Sequence, residues 1–266
     1  MRLTLAPLTN FDIGAAAAAV IAFAALRVGA LDLGGALAAF VVGTATFGGL
    51  GGAGAAVLLT FFLTSVALSR VGKAQKSVRL IDIGKTGPRD AAQVLANGGI
   101  AALCALLAFA VAPRYAVAFA GAFAAATADT WATEIGTLVG GKPRSILTGK
   151  PVATGLSGGV TVAGTLAEIA GALCIGLVAL ALDVHAFWPV VAGGIAGALL
   201  DSVLGASLQS LRWCPQCKRA CETDPHACGA NATPLRGLPW FGNDAVNGFA
   251  TLCGAVVAFA LTRATS

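Results

Sequence analysis

Long apolar segments follow one another along almost the whole chain, and this pattern constrains the fold more than any other feature. Of the 266 residues, 57% are hydrophobic and 11% are charged, and the mean hydropathy is +0.84. Segments of this length and polarity are typical of membrane-spanning helices. Ala and Gly dominate them, and such small residues let helices approach closely in lipid. The composition therefore predicts an all-α, polytopic transmembrane helical bundle instead of a barrel.

Hydropathy predicts about seven to eight helices, and no cleavable signal peptide is evident. The predicted segments are 12–29, 31–48, 51–69, 92–112, 114–140, 159–182, 187–211 and 243–263. We interpret residues 1–70 as N-terminal transmembrane helices and residues 71–266 as a catalytic-type membrane domain. Within this domain, residues 212–242 form a small, cytoplasmic Cys/His-rich insert.

Basic residues are concentrated in three loops, which hold 13 of the 17 Lys and Arg residues. The loops are 70–89, 142–150 and 212–236. With eight spans all three lie on one side of the membrane, which the positive-inside tendency makes the cytoplasm. Both termini then lie on the other side. We expect an integral protein of the bacterial inner membrane with its active site facing the cytoplasm, and no nucleic-acid partner, because no recognition module is present.

Acidic residues occur inside the apolar segments, where a carboxylate is costly and is kept mainly for ion, proton or substrate chemistry. Asp129 and Glu134 share one segment with Thr130, and Asp201 and Asp244 lie in or beside later ones. These four acids are the candidate ligands of Mg²⁺, which binds through a few carboxylates and substrate phosphates. An interhelical structural network is the alternative interpretation. Glu168, about three turns into its own predicted helix, could reach the same cavity.

A polar stripe precedes and enters the fourth segment. Arg89, Gln93 and Asn97 are four residues apart and share one helical face, which should line a polar cavity. Together with Lys85, Arg89 suits phosphate at the mouth of that cavity. Snorkelling and helix–helix hydrogen bonding are the alternative.

Two further groups are candidate phosphate-binding elements. The Gly-rich loop with Lys142, Arg144 and Ser157 opens the next helix and could cradle a phosphate, although a flexible basic loop explains it equally well. Asn243 and Asn247 align on one face beside Asp244, and Asn243 could also be an ordinary helix cap.

The polar insert contains a Cys-x-x-Cys pair followed by His-x-Cys-Gly, a spacing typical of a compact zinc knuckle. The candidate ligands are Cys214, Cys217, His226 and Cys228, with Cys221 as the spare. Four protein ligands leave no open position, so we expect a structural Zn²⁺ instead of a catalytic one. Redox-active or merely buried cysteines remain the alternatives.

These motifs together resemble one family of integral membrane proteins, that of plant phytyl-phosphate kinase and its bacterial, archaeal and animal relatives. The resemblance extends from about residue 60 to the C-terminus. It rests on Lys85-Thr-Gly-Pro-Arg-Asp-x-x-Gln-Val-Leu-Ala-Asn-Gly, Asp129-Thr-x-Ala-Thr-Glu-Ile-Gly, Asp201-Ser-x-x-Gly-Ala-x-x-Gln, His226-x-Cys-Gly and Asn243-Asp-x-Val-Asn. The segment Asp129-x-x-Ala-x-x-x-Gly is also similar to the nucleotide-binding motif of dolichol kinases and membrane cytidylyltransferases.

The resemblance implies that Asp129 belongs to a nucleotide–metal site, and that the nucleotide is CTP or another nucleoside triphosphate. It implies Mg²⁺-dependent transfer of a phosphoryl group to a prenyl monophosphate, such as phytyl or geranylgeranyl phosphate, giving the prenyl diphosphate. Two alternatives remain: a nucleotidyltransferase that makes a CDP-lipid, and an ion-coupled transporter.

Overall fold

The computed structural model describes residues 6–79, 87–184 and 186–264. Eight α-helices and two small antiparallel sheets are present in this part of the chain, which confirms the predicted polytopic all-α architecture. The helices are α1 (Ala6–Arg27), α2 (Leu33–Arg70), α3 (Lys73–Arg79), α4 (Ala91–Ala110), α5 (Tyr115–Val139), α6 (Val162–Ala181), α7 (Phe187–Ser207) and α8 (Asn243–Ala264). Six of the described helices, namely α1, α2, α4, α6, α7 and α8, are long and apolar enough to cross a membrane.

Helix α2 contains the second and third predicted segments, joined by a reversal at Gly51. Gly51 has φ 59° and ψ −146°, a left-handed conformation that favours glycine. A Cβ added to Gly54 would lie 3.0 Å from the carbonyl oxygen of Thr46, whereas eight residues of continuous helix span about 12 Å. Arg70, at the end of α2, donates to the carbonyl oxygen of Val28, just before α2 begins (3.5 Å). The two halves of α2 are therefore antiparallel.

Helix α5 is the centre of the bundle and contacts α2, α4, α6, α7 and α8. Its first half, from Val117 to Ala128, is buried on every side. Small residues allow this packing: a Cβ on Gly171 of α6 would lie 3.0 Å from the Cα of Ala128, and one on Gly254 of α8 would lie 2.5 Å from the carbonyl oxygen of Gly121. Because its surface faces other helices, α5 can carry polar residues that a lipid-facing helix would not tolerate.

The two sheets lie in loops at the same end of the bundle. Strands β1 (Arg144–Ser145) and β2 (Gly159–Val160) pair in the loop between α5 and α6. The insert between α7 and α8 forms a three-stranded sheet in the order β4-β3-β5, from β3 (Leu211–Cys214), β4 (Arg219–Cys221) and β5 (Thr233–Arg236).

Candidate active site

An apolar slot between α1, both halves of α2 and α4 ends in the predicted polar stripe. Its empty volume is about 900 Å³, part of it open to the outside. Arg89, Gln93 and Asn97 line it together with aliphatic and aromatic side chains. The stripe therefore faces a cavity, but most of the lining is apolar, whereas the spacing predicted a polar cavity.

The slot is long and narrow, because its walls run the length of a helix hairpin. Gly35, near the start of α2, packs against the backbone of Arg89, where an added Cβ would lie 2.1 Å from the carbonyl oxygen. Phe47 lines the slot twelve residues further along, a distance of about 18 Å at helical rise. Ala17 and Gly14 of α1 line the same deep part. The shape suits a molecule with a charged head and a long apolar tail.

Arg89 is fixed by its backbone. Its N–H donates to the carbonyl oxygen of Ala30, and its own carbonyl accepts from the N–H of Asp32, both at 3.1 Å. Asp90 then caps α4 in a capping box with Gln93, so the stripe begins at a well-defined helix start. Burial lowers the pKa of the Arg89 guanidinium, and the Glu134 carboxylate opposes that shift.

Glu134 forms an ion pair with Lys76 of α3, in which the lysine is buried and the carboxylate is partly exposed. Lys76 Nζ donates to Glu134 Oε2 (2.5 Å) and to the carbonyl oxygen of Leu68 (2.6 Å), and the lysine is only 4% exposed. Asp129 lies five residues from Glu134 on α5, which is about 140° around the helix. The structure thus places the two acids of one segment in different surroundings, Glu134 with two cations and Asp129 elsewhere.

Asp129 faces acids from three other parts of the chain. Its carboxylate lies close enough to Glu168 of α6 and Asp201 of α7 for charge repulsion, and Glu222 of the insert repels Asp201 in the same way. Asp201 Oδ2 is buried and, within the described residues, has no hydrogen-bond partner. Among the described residues, the carboxylate oxygens of these four acids are not all within 4.8 Å of one another, whereas the four ligand atoms of the insert are. We call Asp129, Glu168, Asp201 and Glu222 the acidic group.

Glu222 was missed by sequence reasoning, because its position depends on the folded insert. Its carboxylate accepts hydrogen bonds from the N–H and Oγ of Ser157 (both 2.9 Å) and from Nε2 of Gln209 (2.8 Å). Ser157, predicted to bind phosphate, therefore binds this carboxylate. Burial raises the pKa of Glu222, while the bonds from Ser157, the charge of Arg236 and the bond from Gln209 oppose that shift.

The other predicted residues lie around this end of the bundle. Lys142 and Arg144 are exposed, and Arg144 donates to the carbonyl oxygen of Gly149 in its own loop (2.8 Å). Asp244 lies in the first turn of α8, which begins at Asn243, and Asn247 follows on that helix. Thr130 is half-buried beside Asp129. Lys85 lies outside the described residues.

The insert brings its four predicted ligands together. The ligand atoms of Cys214, Cys217, His226 and Cys228 all lie within 4.8 Å of one another. His226 Nδ1 is 3.1 Å from Cys228 Sγ, which in turn is 3.6 Å from Cys214 Sγ. Three thiols and one imidazole nitrogen are the donor set that tetrahedral zinc prefers.

Comparison with known proteins gives the family. A model of the integral membrane protein family DUF92 matches residues 16–255. The chain belongs to this family. Protein PGR of Arabidopsis thaliana is 34% identical over 224 residues, which cover 73% of this chain and 77% of the relative. An uncharacterized membrane protein of Synechocystis is 30% identical over 230 residues, covering 84% of this chain and 79% of the relative.

A more distant relative is the chloroplastic protein VTE6 of Arabidopsis thaliana, 26% identical over 248 residues that cover 90% of this chain and 67% of the relative. These matches confirm the family recognised from the motifs. No solved structure matches significantly. The DUF92 match includes the second half of α1, most of the residues that line the slot, the acidic group and the insert.

Proposed function

We propose that this protein transfers the γ-phosphoryl group of a nucleoside triphosphate, with CTP favoured, to a prenyl monophosphate such as phytyl or geranylgeranyl phosphate. The observation that carries the proposal is the apolar slot with Arg89, Gln93 and Asn97 at its polar end. The prenyl chain would lie between α1, α2 and α4. Its phosphate would then lie at Arg89, whose guanidinium can bind two phosphate oxygens.

The acidic group would hold Mg²⁺. The residues present fit this ion, because Asp201 has a buried oxygen with no partner in the described chain and three further carboxylates lie near it. Mg²⁺ binds through a few carboxylates and the phosphates of the substrate, and it would neutralise phosphate charge there. The ligands would include the predicted Asp129 and Asp201 together with Glu168, and Glu222, whose carboxylate is bound by Ser157 and Gln209, would position them. The predicted ligands Glu134 and Asp244 stay candidates, and Glu134 is paired with Lys76.

The reaction needs little more from the protein than positioning and charge neutralisation. One oxygen of the prenyl phosphate forms a bond to the γ-phosphorus, and the bond from that phosphorus to the bridging β–γ oxygen breaks. The products are the prenyl diphosphate and a nucleoside diphosphate. A phosphate nucleophile is already ionised near neutral pH, so no strong general base is required. The exposed cations Lys142, Arg144 and Lys150 would attract the polyphosphate to this face.

The ligands of the insert would hold a structural Zn²⁺. All four positions would be filled by protein, which leaves no place for a substrate. The ion would supply the stability that a sheet of three short strands lacks by itself.

A product assay tests the proposed reaction. Purified protein would be incubated with Mg²⁺, geranylgeranyl or phytyl monophosphate, and CTP labelled at either the γ or the α position. We expect γ label in the lipid and a loss of at least about a hundredfold in Asp129→Asn, by analogy with the loss of about 10²–10³ in rate when one preorganised donor to the transition-state charge is removed. The control is Asp183→Asn, an exposed acid in the turn between α6 and α7.

The other outcomes are equally clear. Label that enters lipid only from the α position would replace the kinase with a nucleotidyltransferase. Absence of any lipid label, across several nucleotides and prenyl phosphates, would favour the transporter.

A further inference from the structure

Glu222 is the point at which the insert reaches the membrane bundle's acidic residues. It directly follows β4, which ends at Cys221, and it accepts three hydrogen bonds from the bundle's own loops: two from Ser157 and one from Gln209. Gln209 is 2% exposed, so this contact is well shielded from solvent. The carboxylate thus joins the Gly-rich loop, the end of α7 and the insert.

The backbones of these loops also approach closely. A Cβ on Gly158 would lie 2.5 Å from the N of Ala206, and one on Gly205 would lie 2.9 Å from the N of Gly158. Gly158 has φ +79°, a conformation that favours glycine. The Gly-rich loop can therefore reach the end of α7 closely enough for Ser157 to bind Glu222.

The four Cys/His ligands surround Glu222 along the chain. Cys214, the last residue of β3, and Cys217, in the turn that joins β3 to β4, come before it. His226 and Cys228 come after it. A metal ion bound by all four would fix the segment that carries Glu222 from both sides. The buried core of the insert consists of Cys214, Cys221 and Ala232, with Cys217 and Ala230 packed against it, and a core of this size cannot hold such a segment alone.

The insert also brings a cation to the same place. Arg236, at the end of β5, attracts the Glu222 carboxylate, and its Nη2 donates to the carbonyl oxygen of Gly205 on α7 (2.8 Å). Glu222 adds a negative charge beside Asp201, and Arg236 compensates for it in part. The Glu222 carboxylate and the Arg236 guanidinium that compensates for its charge both come from the insert.

We propose that the metal-binding insert controls the membrane site: zinc at Cys214, Cys217, His226 and Cys228 holds Glu222 in its bonds to Ser157 and Gln209, and Glu222 is a positioning residue for the divalent cation of the acidic group. The inference rests on the proposed function for the identity of the reaction. The coupling between the two metal sites can be measured without any turnover.

The experiment measures zinc content and Mn²⁺ affinity of the full chain in lipid nanodiscs, by mass spectrometry and by electron paramagnetic resonance. Mn²⁺ alone is the probe, because it prefers oxygen ligands to thiolates. The variants are Cys217→Ser, which removes a zinc ligand, and Glu222→Gln, which keeps all four. Cys174→Ser in α6 is the matched control for loss of a cysteine.

We expect one zinc per chain in the wild type, Cys174→Ser and Glu222→Gln, and none in Cys217→Ser. Both Cys217→Ser and Glu222→Gln should weaken Mn²⁺ binding by about tenfold to a hundredfold, the usual effect of losing an outer partner of a metal site. Full zinc occupancy and a single cooperative unfolding transition in Glu222→Gln would separate the loss of Mn²⁺ binding from misfolding.

Wild-type protein without zinc would overturn the inference, as would a zinc-free Cys217→Ser that binds Mn²⁺ with wild-type affinity. Unchanged Mn²⁺ affinity in Glu222→Gln would also overturn it. If coupling holds but no nucleotide labels any prenyl phosphate, the inference stands and the proposed reaction is wrong.

Discussion

Lys76 and Glu134 illustrate how one residue pair fixes a surface segment to the membrane bundle. Lys76 comes from the short helix α3, and Glu134 lies on the central helix α5. A lysine that is 4% exposed needs a partner, because a buried charge without one is costly. Glu134 also lies close enough to Arg89 to influence its charge. The pair therefore helps to hold the polar end of the slot.

Glu134→Gln should destabilise the protein by about 3–5 kcal/mol, the usual cost of removing one partner of a buried ion pair. The double variant Lys76→Met/Glu134→Leu should recover most of that loss, since it leaves no buried charge unpaired. The measurement is the free energy of unfolding in mixed micelles. Lys73→Met, at an exposed position of α3, is the control. Equal losses in the single and double variants would argue against the pair.

At the scale of the elements, the hairpin within α2 has the largest effect on the slot. Both halves of α2 contribute side chains to it, and α1 closes one side. The polar end lies at Arg89, whereas Ala17 and Phe47 line the other end. The length of the hairpin therefore limits the length of the chain that fits.

Ala17→Phe should shorten the slot from its deep end. We expect the KM for geranylgeranyl phosphate to rise about tenfold or more, because the long chain would fill the slot and overpacking a filled site costs about 1–3 kcal/mol. The KM for a five-carbon prenyl phosphate, which is too short to reach Ala17, should not change. Ala19→Phe is the control, since Ala19 is exposed on the same helix. Equal kinetics of Ala17→Phe with both substrates would place the prenyl chain outside the slot.

The eight apolar segments were predictable, because span length and small-residue content follow directly from the sequence. The reversal at Gly51 was visible only as a gap between two segments, and the structure makes both part of α2. The four Cys/His candidates were found from their spacing because they are close in the chain. Glu222 could not be found this way, because it meets Ser157 and Asp201 only after β3 and β4 have paired. Nor does the spacing of Asp129 and Glu134 reveal that Lys76 binds Glu134.

At the scale of the whole molecule, the chain has two unlike ends. The loops that follow α2, α5 and α7 carry the basic residues, and those after α5 and α7 meet at Glu222 of the acidic group. The turns after α4 and α6 are short. The reversal within α2 lies at the second end, because α2 both begins and finishes near Val28. The two halves of α2, together with α1 and the helices α4 to α8, therefore form eight antiparallel segments. The basic loops and the acidic group lie at one end of these segments.

Single cysteines introduced into a variant without the native exposed thiols should report this arrangement. With a membrane-impermeant maleimide added to intact cells, Asp183→Cys should be labelled and Lys142→Cys should be protected, because positively charged loops remain in the cytoplasm. Inverted vesicles should give the reverse pattern. Labelling of both positions from one side would contradict a membrane-spanning α6, the single segment that separates them.

The acidic group can be completed only late in the synthesis of the chain. Asp129, Glu168, Asp201 and Glu222 are contributed by four successive parts of the chain, the last of them outside the membrane. During synthesis α5 therefore enters the bilayer before α6, α7 and the insert exist, and Asp129 is then without the helices that shield it from lipid. The ribosome must pass the insert before the site can form, so a truncated or stalled chain contains the acids without the structure that organises them.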